Sequence, residues 1–397
     1  MVRALVAKRA ELELNAVGDD DRMLKDLHLN SIMVAEIVTE AARALGVAPP
    51  AAPTEFANAT LHEMAQAVAA GDALQEAAEG QLVAGVEDWV RVFAMVDEPL
   101  AAAAEASFDA AASGSEWRTV GAGLDGLAAA LRRTPLAGWL IRTDDAKVVL
   151  RAAKAALERR QPARFVLIHC GAGATGMARS LHLEAPWLKV TVIALADMTQ
   201  VPCERLVAEV CNTHDFRELV YTDGEAARPT LVPLHAEVGG EWALGADDVV
   251  VVTGGGKGIT AECALALAKA TGAALGIVGR ADPASDEELA HNLVRLGKVT
   301  RVSYARADVT DAAQVQAAVD KVAAELGTIT GVIHGASVNV PALLGDLSEA
   351  AVDLTLAVKV GGLARILAAL ATDELKLLIS FGSIIGRSGM RGEGHYA

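Results

Sequence analysis

One stretch decides the fold of this sequence: Val249-Val250-Val251-Val252-Thr253-Gly254-Gly255-Gly256-Lys257-Gly258-Ile259-Thr260. Four consecutive β-branched apolar residues are typical of a strand buried on both faces. The glycines that follow allow a tight turn and a close approach of the backbone to a pyrophosphate at the start of a helix. We therefore predict a dinucleotide-binding unit made of strand 249–252, the glycine turn and a helix over 260–270.

A basic residue follows the next predicted strand, 274–278. Arg280 stands 22 residues after Gly258, where an NAD-binding unit would carry an acid for the ribose 2′-hydroxyl. A guanidinium at that position fits the 2′-phosphate of NADP, and Lys257 is a second candidate for the same phosphate. The sequence therefore predicts NADPH as the cofactor. A structural glycine turn followed by a surface arginine is the alternative.

Strands and helices alternate on both sides of this motif. Apolar strands are predicted at 138–141, 165–168 and 190–193 upstream, and at 301–304, 331–333 and 377–379 downstream. Alternating βα units with near-continuous apolar strands indicate parallel sheets covered on both faces. The predicted fold class is therefore α/β, with two Rossmann-like parallel sheets.

A second glycine motif lies in the upstream series. Gly171-Ala172-Gly173-Ala174-Thr175-Gly176 follows the predicted strand 165–168 and matches the GxGxxG pattern. The next strand leads into Ala194-Leu195-Ala196, with neither a base nor an acid that would bind a ribose. We interpret this motif as a structural turn, with a weak nucleotide site as the alternative.

Four blocks organise the chain. The first is a small all-α four-helix unit, since apolar residues recur at helical spacing around Ile32, Val34 and Ile37. An Ala- and Gly-rich block of uncertain structure follows, in which Val86-Glu87-Asp88-Trp89-Val90 is a candidate strand or anchoring patch. The predicted blocks are 1–71, a linker over 72–135, and the two sheets over 136–245 and 246–397.

Composition excludes several classes of function. The 397 residues hold 35 Lys and Arg against 51 Asp and Glu, a net charge of −16. Such an acidic chain is a poor ligand for nucleic acids or anionic membranes. The four cysteines form no CxxC pair, so we predict no metal site. No apolar run is long enough to span a bilayer and no signal peptide opens the sequence, so we expect a cytoplasmic protein.

From about residue 249 onward, the chain resembles the ketoreductase domain of type I polyketide and polyunsaturated fatty acid synthases, within the short-chain dehydrogenase/reductase superfamily. The resemblance rests on the glycine turn, on Asp308-Val309 and on His334-Gly335-Ala336-Ser337. It implies that Asp308 and Val309 contact the adenine and that Gly335 and Ala336 lie beside the nicotinamide ribose. The full set of predicted cofactor residues is Thr253, Gly254, Gly255, Gly256, Lys257, Gly258, Ile259, Arg280, Asp308, Val309, Gly335 and Ala336.

The same resemblance implies a catalytic trio, Lys359, Ser383 and Tyr396, separated by 24 and 13 residues. In the family the tyrosine donates a proton to the carbonyl oxygen, the serine holds that oxygen, and the lysine assists the tyrosine. Taken singly, each residue has an ordinary structural explanation. The family's asparagine beyond the tyrosine has no counterpart before Ala397, so we expect a C-terminally truncated domain with little reductase activity by itself.

Upstream, Gly176-Met177-Ala178-Arg179-Ser180-Leu181-His182-Leu183-Glu184-Ala185-Pro186 resembles the structural subdomain of the same ketoreductases. Residues 218–224 and 231–234 resemble the strands that close this subdomain. The resemblance implies a truncated Rossmann fold without cofactor over 136–245, followed by the NADP-binding catalytic subdomain over 246–397.

Leu24-Lys25-Asp26-Leu27-His28-Leu29-Asn30-Ser31-Ile32 resembles the attachment motif of acyl carrier proteins, with Ser31 as the 4′-phosphopantetheine acceptor. His28 and Asn30 depart from the usual glycine and aspartate. Asn30 remains a good helix N-cap, and a purely capping role for Ser31 is the alternative. The resemblance implies loading by a phosphopantetheinyl transferase.

The order of carrier before ketoreductase resembles iterative synthases. It implies an acyl thioester substrate, and ketosynthase and acyltransferase domains as partners. The resemblance therefore predicts reduction of a β-ketoacyl thioester with NADPH. The alternatives are a free-standing NADP-dependent alcohol dehydrogenase and a non-catalytic carrier or docking fragment with an incomplete reductase half.

Overall fold

The structure is a computed structural model of the chain. It packs as two compact units, Met1–Ala94 with Val340–Ala342, and Met95–Asn339 with Leu343–Ala397. The residues it describes are 2–10, 12–27, 29, 31–47, 56, 59–69, 92–101, 115–171, 174–234 and 243–397.

The N-terminal unit contains a small helical bundle. Its elements are α1 (Val2–Arg9), a 3₁₀ helix (Leu14–Ala16), α2 (Ser31–Leu45) and α3 (Leu61–Ala69). Val34, Ile37, Val38 and Ala41 lie one helical turn apart on α2 and are fully buried, which explains the helix from its apolar stripe. The predicted all-α block is confirmed, but its described part has three α-helices and a 3₁₀ helix rather than four α-helices. Residues 48–55, between α2 and α3, lie outside the described part.

The first sheet has seven strands in the order β1-β7-β6-β5-β4-β3-β2, and the second unit contains all of them except the first three residues of β1. Strands β2 to β6 pair in parallel, and β7 returns antiparallel to β6. The elements are β1 (Val92–Pro99), β2 (Trp117–Val120), α4 (Asp125–Leu131), β3 (Gly138–Arg142), α5 (Ala146–Arg159), β4 (Ala163–His169), α6 (Thr175–Glu184), β5 (Leu188–Ala194), α7 (Cys203–Cys211), β6 (Phe216–Thr222) and β7 (Glu225–Leu234).

Three of these elements, β1, β2 and α4, lie within 72–135, for which the sequence predicted a linker of uncertain structure. Strands β1 and β2 are the two edges of the sheet. Most of their residues are exposed. Residues 92–96 of β1 are nevertheless all apolar, a signal that the prediction of a linker overlooked. The candidate strand at 86–90 lies outside the described residues, and the domain boundaries stay predictions.

The second sheet has five parallel strands in the order β10-β9-β8-β11-β12. Its elements are β8 (Val249–Thr253), α8 (Gly258–Thr271), β9 (Ala274–Gly279), α9 (Glu287–Gly297), β10 (Val302–Arg306), α10 (Ala312–Leu326), β11 (Ile329–His334), α11 (Glu349–Ala368), β12 (Leu377–Ser380) and α12 (Ile385–Ser388). The predicted Rossmann-like strands and helices are confirmed.

Strand β8 is central, and residues 249–252 are fully buried. The sheet runs to β9 on one side of β8 and to β11 on the other, so the strand order reverses at its carboxyl end. Open α/β sheets bind their ligands at that point. Among the described helices, none is both long and apolar enough to cross a membrane.

Candidate active site

The glycine turn after β8 has a backbone that side chains would block. Gly254 has a φ of +68°, and a Cβ there would lie 2.9 Å from the Ala336 nitrogen. A Cβ on Gly255 or on Gly256 would lie 2.4 Å from a side-chain carbon behind the turn. Helix α8 then begins at Gly258, and the side chain of its N-cap residue, Lys257, makes no capping hydrogen bond. This bare backbone and helix N-terminus fit a pyrophosphate.

Charged groups surround the turn. Lys257 is exposed, and its Nζ pairs with Asp286 Oδ2 at 2.7 Å. Arg280 is exposed at the end of β9, and its charge is among the influences that lower the pKa of Asp308. The main cause of that lowering is the Thr310 backbone, whose nitrogen donates to Asp308 Oδ1 at 2.8 Å. The structure thus brings the predicted Arg280 and Asp308 near one another.

A buried histidine links the turn to α11. His334 is fully buried, and its Nε2 lies 2.9 Å from the Lys359 carbonyl oxygen. Its Nδ1 lies 2.8 Å from Thr253 Oγ1. Burial lowers the pKa of His334 and favours the neutral ring. Because a carbonyl only accepts, Nε2 donates to Lys359 and Nδ1 accepts from the Thr253 hydroxyl.

The sequence singled out His334 only as part of a loop and missed this bridge. The only signal in the sequence was a histidine at the end of a predicted buried strand. That signal does not identify Thr253 or Lys359 as its hydrogen-bond partners.

Two of the three predicted catalytic residues meet. The Lys359 Nζ donates to the Tyr396 hydroxyl at 3.3 Å and lies 5.0 Å from the centre of its ring. Both residues are half-buried. Ser383 is exposed, and its Oγ accepts from the Ile385 nitrogen at 3.2 Å. No hydrogen bond joins Ser383 to the other two, all three residues being described.

Ser31 is the first residue of α2. It therefore stands at the start of the helix, as the attachment motif predicts. His28 and Asn30, the two departures from that motif, lie outside the described residues.

The upstream glycine motif is engaged within the chain. Asp144 Oδ1 accepts from the Cys170 nitrogen at 3.0 Å and from the Gly171 nitrogen at 2.8 Å. A Cβ on Gly176 would lie 2.3 Å from the carbonyl carbon of Ala397. Asp144 thus binds two amides at the start of the motif and Ala397 packs against Gly176, which favours the interpretation as a structural turn. Within the described residues, no cluster of His, Cys, Asp and Glu could hold a metal ion.

Family models match both halves of this arrangement. Residues 2–68 match the phosphopantetheine attachment site, and residues 248–397 match the KR domain. The chain therefore joins a phosphopantetheine carrier to a ketoreductase. The two matches together support a carrier–ketoreductase segment of a polyketide synthase.

Two curated relatives support this assignment. Erythronolide synthase EryA3 of Saccharopolyspora erythraea is 32% identical over 227 residues, which are 56% of this chain and 7% of the relative. The probable oxidoreductase EphD of Mycobacterium tuberculosis is 34% identical over 149 residues, 38% of this chain and 24% of the relative. The chain thus spans a small part of each relative's length.

The fold is similar to that of a solved ketoreductase. PlmKR1, from the first module of phoslactomycin biosynthesis in Streptomyces sp. HK803, has a TM-score of 0.60 at 21% identity. The similarity covers 77% of this chain and 75% of that one.

Proposed function

We propose that this protein reduces a β-ketoacyl thioester, tethered to 4′-phosphopantetheine on Ser31, to the β-hydroxyacyl thioester with NADPH. The observation that carries the proposal is the 3.3 Å contact between Lys359 Nζ and the Tyr396 hydroxyl. A phenol beside an ammonium group is suited to give up its proton, because the cation stabilises the phenolate that remains.

The cofactor would lie over the second sheet. NADPH supplies the hydride when it is bound. The turn at 253–259 and the start of α8 would hold its pyrophosphate, and Arg280 would select the 2′-phosphate. Asp308 and Val309 would contact the adenine, and Gly335 and Ala336 would lie beside the nicotinamide ribose.

The chain's own groups would manage the proton. Tyr396 donates it to the carbonyl oxygen, and Lys359 stabilises the resulting phenolate. Ser383 uses its oxygen to accept from Ile385, so its hydroxyl hydrogen remains available to donate to the developing alkoxide.

The test compares two tyrosines. NADPH oxidation is followed with a β-ketoacyl pantetheine thioester and with protein in excess, so that slow turnover is still measured. Tyr396→Phe should lower the rate about 100-fold or more while NADPH fluorescence still reports binding. Tyr221→Phe is the matched control, since Tyr221 lies on β6 of the first sheet and its buried hydroxyl has no well-formed hydrogen bond within the described residues. Equal rates in the two variants would refute the proposal.

The carrier role has its own test. Incubation with CoA and a phosphopantetheinyl transferase should add one pantetheine mass, which Ser31→Ala abolishes and Thr39→Ala, in the same helix, retains. Reduction of small untethered ketones without modification would instead favour a free-standing alcohol dehydrogenase. Modification without NADPH binding would favour a non-catalytic carrier. A carrier that accepts acyl chains also implies ketosynthase and acyltransferase partners in an iterative synthase.

A further inference from the structure

Helix α6 of the first sheet carries the segment that ends in Tyr396. The Arg179 guanidinium donates to the Gly386 carbonyl, and Ser180 Oγ accepts from the Met390 nitrogen at 3.4 Å. One turn further along α6, Glu184 Oε1 accepts from the Gly392 nitrogen at 3.0 Å. Helix α6, which packs against β5 of the first sheet, therefore binds the segment that leads to Tyr396.

Glu184 has a second partner in a different segment. Its Oε2 accepts from the Leu344 nitrogen at 2.8 Å. Leu344 is fully buried and lies four residues before Ser348, whose hydroxyl caps α11. Helix α11 carries Lys359. The Glu184 carboxylate thus binds one amide in the segment before α11, which carries Lys359, and one amide in the segment after α12, which carries Tyr396.

The two segments fit closely around this carboxylate. A Cβ on Gly394 would lie 2.6 Å from Leu344 Cδ2, and a Cβ on Gly389 would lie 2.8 Å from Arg179 Cβ. Burial raises the pKa of Glu184, against which the two backbone hydrogen bonds act. The Leu344 and Gly392 amides donate to different oxygens of Glu184, and a carboxylate offers an acceptor oxygen to each of them.

We propose that Glu184 is a positioning residue of the reductase, which sets the Lys359–Tyr396 distance by binding the Leu344 and Gly392 amides together. This inference rests on the proposed function. Glu184 touches neither reacting group, so it acts through the two segments that it joins.

The experiment uses Glu184→Gln in the full chain, where one oxygen becomes an amide that faces an N–H donor. The turnover rate should fall about 10- to 100-fold, with the NADPH dissociation constant unchanged within about twofold. Glu204→Gln, an exposed change on α7, is the control and should have no effect. An unchanged rate in Glu184→Gln overturns the proposal.

A double-mutant cycle with Lys359→Ala separates positioning from general structural support. If Glu184 acts through the Lys359–Tyr396 pair, Lys359→Ala should lower the turnover rate by a much smaller factor in Glu184→Gln than in the wild-type protein. If the double variant's loss of rate equals the product of the two single losses, the proposal is overturned.

Amide hydrogen exchange gives a readout that needs no activity. Protection at one of the two amides, Leu344 or Gly392, should fall in Glu184→Gln, because glutamine keeps a single acceptor oxygen. Unchanged protection at both amides overturns the proposal. If the wild-type protein reduces no β-ketoacyl thioester, the proposed function is refuted. Hydrogen exchange would still report whether the Glu184 carboxylate binds both amides.

Discussion

The two glycine turns of the reductase unit have the same local design and different surroundings. Each follows a fully buried parallel strand and precedes a helix. In the first sheet, Asp144 binds two amides of the turn, and Ala397 packs against Gly176. In the second sheet, Lys257, Gly258 and Ile259 are exposed, with Arg280 exposed at the end of the next strand.

This difference shows what a glycine pattern specifies and what it does not. Glycines determine the path of the backbone, and in the second turn Gly254 and Gly258 have a positive φ. The charge beside the amides favours or opposes an anion, and in the first turn Asp144 places a carboxylate beside them. The comparison predicts that the second turn binds NADPH and that the first does not.

The largest expected effect comes from Gly254→Ala. Its φ of +68° and the 2.9 Å approach of a Cβ to the Ala336 nitrogen leave no room for a side chain. We expect a loss of NADPH affinity of about 100-fold, or roughly 2.7 kcal/mol, in fluorescence titrations. In the first turn, a Cβ on Gly171 would meet Asp144 Oδ1 at 3.5 Å, an ordinary contact. Gly171→Ala should therefore bind NADPH normally, and similar losses in the two variants would break the comparison.

Arg280→Ala tests the charge beside the second turn. Loss of a charge-assisted hydrogen bond worth roughly 1.5–3 kcal/mol should weaken NADPH binding at least tenfold and leave NADH binding unchanged. Arg301→Ala is the control, because that exposed arginine donates to the Leu326 carbonyl at the opposite end of the strands. Equal weakening of NADPH and NADH would show that Arg280 does not read the 2′-phosphate.

The sequence predicted the part of the fold that local patterns encode. The run 249–252 and the glycines after it identify the cofactor sheet, since each feature lies within a few residues of the next. The Lys359–Tyr396 contact followed only from family resemblance. The Glu184 bonds to Leu344 and Gly392 span 160 and 208 residues, and no local pattern encodes such distances. Edge strand β2 was missed because Trp117-Arg118-Thr119-Val120 has no apolar run, whereas β1 was missed although residues 92–96 are all apolar.

A smaller effect is expected at Asp144. Because Oδ1 alone accepts from both amides, Asp144→Asn keeps an acceptor and should cost little stability, whereas Asp144→Ala should cost about 1–2 kcal/mol. Neither variant should gain a second NADPH site, because Ala397 still covers Gly176. Thermal unfolding measures the stability, and titration measures the number of sites. A second site in either variant would show that the charge of Asp144 alone blocks the first turn.

The smallest effect concerns Glu393, in the segment that covers the first turn. Glu393 is 1% exposed, and neither carboxyl oxygen has a well-formed hydrogen bond within the described residues. Burial raises the pKa of this carboxyl, and the Asn339 side chain opposes the shift. The folded protein therefore binds the proton more tightly than the unfolded chain does. Its free energy of unfolding should fall as the pH rises from about 4.3, the ordinary value for glutamate, through the raised pKa.

Glu393→Gln should remove that loss, because the amide stays neutral and can donate to the Asn339 oxygen, which has no partner within the described residues. We expect the variant to be about 1 kcal/mol more stable than wild type at pH 7.5, with the difference vanishing near pH 4.3. Thermal unfolding across this pH range measures it, with the exposed Glu158→Gln as control. A gain that does not depend on pH would show that the change improves packing rather than removing a buried charge. A gain in stability confined to higher pH, with NADPH affinity unchanged, would show that the segment packed against the first turn does not affect cofactor binding at the second turn.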